Sequence, residues 1–130
     1  MSENRVKINM VLAKSVSRKN GNIDKTIRWN GINIDIKNML TLIDTIRFVD
    51  DVIYACSKGD DGPFVPEMID FAFRLHIVLA YSNVELPKDL EDQHYILYST
   101  DLYDCICDNI NHAQFESLKK TIDVLVSKIN

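Results

Sequence analysis

Lys25-Thr26-Ile27-Arg28-Trp29-Asn30-Gly31-Ile32-Asn33-Ile34-Asp35-Ile36-Lys37 decides how the N-terminal part of this chain folds. Asn-Gly supplies two consecutive residues that tolerate positive φ, which a two-residue type I′ hairpin requires. Around such a turn Trp29 faces Ile32 and Ile27 faces Ile34, giving one apolar face. Arg28 then stands opposite Asn33 and Thr26 opposite Asp35, so the other face is polar.

Upstream, Val6, Ile8, Met10 and Leu12 alternate with Lys7 and Asn9 and predict an additional strand, with a helix over Val6–Val16 as the competing reading. A polar loop through Ser17-Arg18-Lys19-Asn20-Gly21-Asn22 follows. From Thr41 the apolar period becomes helical. Thr41 with Asp44 resembles a capping box, and Leu42, Ile43, Ile46, Val49, Ile53 and Cys56 form one stripe that stops near Lys58-Gly59. Asp60-Asp61-Gly62-Pro63 reads as a turn, and Pro66 with Glu67 opens a helix apolar almost all round, polar only at Asp70 and Arg74. That helix is predicted to be central. A third helical region starts at Leu86-Pro87-Lys88-Asp89 and breaks near Ser99-Thr100; Asn111 with Gln114 caps a last amphipathic helix carrying Phe115, Leu118, Ile122, Leu125, Val126 and Ile129. The expectation is a single α+β domain over 1–130: an N-terminal antiparallel hairpin or small sheet, then a bundle of four to five helices.

Charge is sorted along the same division. Residues 1–37, the basic β segment, hold eight Lys/Arg against three Asp/Glu, while 38–111 hold four against fourteen, and the helical body runs on to 130 near balance. A chain of 130 residues with 46% hydrophobic and 26% charged residues has the composition of a globular protein able to bury its own core. Three cysteines make no disulfide framework and fit a reducing compartment, the cytoplasm by default. With no long apolar run and no signal-like N-terminus, neither export nor a membrane span is expected. A net charge of −4 disfavours nucleic acid as the main partner.

No constellation of an enzyme emerges. Cys105-x-Cys107 near His94 and His112 invites a zinc reading, but side chains two apart on a helix diverge by roughly 200°, so the expectation is two small helix residues, at least one buried, and no metal. No local signature pairs a cysteine with a histidine base, and His76 reads as a satisfied core histidine. Asp60-Asp61-Gly62 lacks the alternating ligands of a calcium loop, and no Gly-x-Gly phosphate loop exists, so no cofactor is expected. The candidate protein-binding residues are acidic Asp89, Glu91, Asp92, Asp101, Asp104 and Asp108, and basic Lys14, Arg18 and Lys19. Asp101, Asp104 and Asp108 recur at i, i+3 and i+7, one face of a continuous helix, where carboxylates attract a basic partner at long range.

Trp29-Asn30-Gly31-Ile32, Thr41-Leu42-Ile43-Asp44 through Phe48-Val49-Asp50, Val65-Pro66-Glu67 with Asp70-Phe71-Ala72 and Arg74, Leu86-Pro87, Ile110-Asn111 and Gln114-Phe115 together resemble small tailed-bacteriophage proteins over residues 26–130. That resemblance implies a virion-assembly or accessory protein of host cytoplasm or virion, not an enzyme, and carries over no functional residue. The first expectation is therefore a structural or assembly protein, head-tail or tail, working through protein contacts, its basic segment lying on the acidic face of a second copy. The alternative is a phage-encoded, anti-CRISPR-like inhibitor that offers its acidic face to a host defence nuclease in place of nucleic acid.

Overall fold

The computed structural model describes residues 9–15, 24–57 and 64–129. Their elements are α1 (Met10–Ser15), β1 (Lys25–Trp29), β2 (Ile32–Ile36), α2 (Leu42–Ala55), a 3-10 turn at Pro66–Met68 running into α3 (Ile69–Tyr81), α4 (Leu90–Ser99), α5 (Leu102–Cys107) and α6 (His112–Ile129). This is the α+β arrangement read from the sequence: one antiparallel hairpin, then a helical body.

The hairpin keeps the expected register, with Trp29 opposite Ile32, Ile27 opposite Ile34 and Thr26 opposite Asp35. Asn30 at φ 48° and Gly31 at φ 82° give the turn its primed twist. A side chain at Gly31 would meet nothing within 4 Å, so backbone conformation rather than space selects glycine there. On the polar face Arg28 Nη1 donates to Asn33 Oδ1 at 3.0 Å and Thr26 Oγ1 to Asp35 Oδ1 at 2.7 Å. Ile34 and Ile36 enter the core from the other face.

In its described part the expected upstream strand gives way to the competing helix, Val6–Ile8 lying outside the described residues. Met10–Ser15 is helical, with Asn9 Oδ1 accepting the Leu12 N–H at 2.9 Å. A capped helical turn satisfies its own backbone, whereas the alternating pattern from Val6 to Leu12 needs a neighbouring strand to pair with. The Ser17–Asn22 loop and the Asp60–Pro63 turn lie outside the described residues.

In the body, α3 is central and packs against α2, α4 and α5. Its Phe73, Ile77, Val78 and Tyr81 are buried with Phe48 and Val52 of α2, Leu97 of α4, Ile106 of α5 and Leu118 and Ile122 of α6. Thr41 caps α2, accepting the Asp44 N–H at 3.2 Å, and Asn111 Oδ1 accepts the Gln114 N–H at 2.9 Å where α6 starts. The break near Thr100 separates α4 from α5 as the pattern implies.

Besides these core contacts, backbone pairing and one amide join the hairpin to the body. The chain leaving α3 runs beside β2: Lys37 N–H donates to Tyr81 O at 2.8 Å and Asn83 N–H to Asp35 O at 3.2 Å. Beyond β2, Gln114 Oε1 accepts the Leu40 N–H at 2.8 Å and the Tyr81 hydroxyl, and Gln114 Nε2 donates to Leu40 O at 3.1 Å. Asn111 N–H adds a bond to Asn38 O at 3.0 Å. Gln114→Ala strands both polar groups of buried Leu40, so it should destabilise the fold by about 2 kcal/mol in a urea titration, against a few tenths of a kcal/mol for the exposed control Glu116→Ala. Equal midpoints for the two variants would show that Gln114 contributes no such bonds.

Candidate protein-binding surface

The six acidic candidates are all exposed, but they do not form one stripe. Asp89 caps α4, its Oδ1 accepting the Asp92 N–H at 3.1 Å, and Glu91 and Asp92 occupy the same first turn, where negative charge suits the helix dipole. Asp101 and Asp104 lie at the opposite end of α4, about 15 Å along its axis at 1.5 Å per residue. The expected continuous helix through Asp101, Asp104 and Asp108 is instead the short α5, with Asp101 just before it and Asp108 just after.

Asp101 has a structural partner. The Trp29 indole Nε1 donates to Asp101 Oδ1 at 2.7 Å, tying the hairpin to the start of α5. The basic hairpin and the acidic α5 are thus neighbours within one copy. No ion pair joins them among the described residues, and the side chains of Asp104 and Asp108 take no hydrogen bond or ion pair there. Of the basic candidates, Lys14 falls on α1, while Arg18 and Lys19 lie outside the described residues.

Asp101, Asp104 and Asp108 do share one field. Burial raises the Cys105 thiol pKa, and all three carboxylates raise it further. Burial also pushes Cys107 up to about 11, against a hydrogen bond with Tyr103 that lowers it, and with Asp104 and Asp108 raising it. Both thiols are half-buried rather than one of them buried: Leu102 and Ile106 are the buried residues of α5, and Cys107 packs against the core from its flank. Cys56 at the α2 end is the fully buried cysteine.

A second group, which the sequence reading did not assemble, adjoins this one through Tyr103. Asp70 Oδ2 accepts from Arg74 Nε at 3.0 Å and from the Tyr98 hydroxyl. The Arg74 guanidinium lies over the Tyr98 ring at 4.4 Å and over the Tyr103 ring at 4.7 Å, and His94 stacks on Tyr98 with centroids 4.5 Å apart. Burial works against the Arg74 charge, but Asp70 outweighs it and raises the pKa. Three helices hold this platform: α3 supplies Asp70 and Arg74, α4 supplies His94 and Tyr98, and α5 supplies Tyr103. The i, i+4 spacings Asp70/Arg74 and His94/Tyr98 are visible in the sequence; their meeting across helices is not.

His76 is half-buried and its Nδ1 lies 2.8 Å from Ala72 O, the satisfied histidine that was expected. It borders a cleft of about 350 Å³ between α2 and α3, together with Lys37, Asp44, Arg47 and Asp51. No serine, threonine or cysteine is among its lining residues. Among the described residues no helix is long and apolar enough to cross a membrane. No protein-family model matches this sequence, and neither a curated protein nor a solved structure matches it.

Burial and the Asp70 hydrogen bond push Tyr98 up to about 12 from an unfolded value near 10. A group whose folded pKa is raised stabilises the fold fully below the unfolded value and loses that contribution as pH climbs to the folded one. Stability should therefore fall between pH 10 and 12, and Tyr98→Phe should flatten part of that fall in denaturant titrations taken across the window. An identical pH slope in the variant would show that the hydroxyl is not held by Asp70.

Proposed function

We propose that this chain is a non-catalytic, phage-type protein that works in virion assembly by protein contact, through the surface where α5 meets the Arg74 platform. The observation that carries this reading is the juxtaposition on α5: the Tyr103 ring lies under the Arg74 guanidinium at 4.7 Å, and exposed Asp104 follows it directly in the same short helix, with Asp108 at its end, so carboxylates adjoin the aromatic platform. Arg and Tyr are the residue types that dominate binding energy at interfaces, and here their rotamers are fixed before any partner arrives. Unpaired Asp104 and Asp108 beside them add attraction for a basic surface, which sets encounter rate and orientation.

The partner this chemistry fits is a basic face on a head-tail or tail component, and the resemblance to tailed-phage proteins supplies that class. Tagged full-length chain should capture an identified virion component from infected host lysate, and Asp104→Asn with Asp108→Asn should reduce the capture about tenfold in low salt. Recovery of a host nuclease with the same dependence would replace assembly with inhibition. Equal capture by the parent and the variant would overturn the assignment of the surface.

A further inference from the structure

A different face of the molecule is left uncovered in a way the core does not explain. The inner side of α2 buries Phe48 and Val52, yet on its outer side Leu42 is 75% exposed, Ile43 61%, Ile46 54% and Tyr54 62%. At roughly 100° per residue these four fall on one arc, with Arg47 and Asp50 inside or bordering it. The surface continues into a groove of about 580 Å³ between α2 and the end of α6, lined by Val49, Ile53, Tyr54, Leu125 and Ile129 with Asp50 and Lys128 at its polar part, between which no ion pair forms. Aliphatic side chains concentrated this way on one helix mark an interaction surface rather than scattered exposure.

We infer that a second copy of this chain occupies that face, α2 against α2, antiparallel about a two-fold axis passing between Phe48 and Val49. The charges choose this occupant. Arg47 and Asp50 are exposed, and neither forms an ion pair among the described residues. In an antiparallel pair, position 47 of one copy stands beside position 50 of the other, so the contact makes two Arg–Asp pairs, related by the symmetry axis, from one sequence. The same register sets Ile43 opposite Tyr54 and Ile46 within a turn of Ile53. A parallel pair would lay like charge beside like charge. The helix spine is about 21 Å long, and the α6 groove widens the contact towards the size that stable dimers need. The α5 surface is left open in such a dimer, so the two proposals are separable.

The full-length chain should run as a dimer in light-scattering chromatography, and Asp104→Asn with Asp108→Asn should leave that mass unchanged. Ile46→Glu, Arg47→Asp and Asp50→Arg should each weaken the dimer at least tenfold, with circular-dichroism melts confirming that each variant is folded. Mixing Arg47→Asp chains with Asp50→Arg chains should restore a dimer, now mixed, because each copy then carries the complement of the other. A monomer for the parent chain at about 100 µM would overturn the proposal, as would single variants that stay dimeric. Failure of the mixture to recover the dimer would overturn the antiparallel register.

Discussion

Gln114 is an α6 side chain that behaves as a piece of backbone for Leu40. Its amide pairs with both polar groups of that residue and also takes the Tyr81 hydroxyl, so the linker between β2 and α2, the end of α3 and the start of α6 converge on one group. Leu40 is buried and lies outside any helix or strand, where its peptide groups have no ladder to satisfy them. With the amide in place both polar groups of Leu40 are satisfied. Without it, the hairpin keeps its buried Ile34 and Ile36, its pairing with residues 81–83, the Asn111–Asn38 bond and the Trp29–Asp101 bond, but the peptide groups of Leu40 lose their partners.

The two proposed surfaces depend on that rigidity. Arg74 can be held between two tyrosines only while α3, α4 and α5 keep their relative positions, and α5 is indexed to the hairpin by the Trp29–Asp101 bond. Asp101 therefore belongs to the fold more than to binding, as does Asp89 in its capping role. Of the six acidic candidates, Asp104 and Asp108 take no hydrogen bond or ion pair among the described residues, and Leu42, Ile43 and Ile46 of α2 are apolar side chains that face outward.

Much of this was legible in the residues. The Asn30-Gly31 turn fixes its own register because few dipeptides accept two positive φ angles, and the caps at Thr41 and Asn111 act within four residues. These are local interactions, and sequence spacing reports them. Where residues 9–15 are described, the expected strand gives way to the competing helix at Met10–Ser15, because alternation describes a side-chain pattern, while a strand exists only if another strand pairs with it. Acidic residues spaced at i, i+3 and i+7 implied one helical face, but the break at Thr100 moved Asp101 out of the helix and into contact with Trp29, a partner 72 residues away. The Arg74 platform was hidden for the same reason: its members come from three helices, and only their pairwise i, i+4 spacings are written along the chain. The outward stripe of α2 was visible as apolar, yet its periodicity also matched a core face; exposure distinguishes the two.

Amide hydrogen exchange at Leu40 in the native protein reports directly on whether that junction is welded shut. Protection equal to that of the α3 core amides Ile77 and Val78, with a selective loss at Leu40 in Gln114→Ala, is the expected result. Exchange at Leu40 as fast as in the exposed Asn30-Gly31 turn would contradict it.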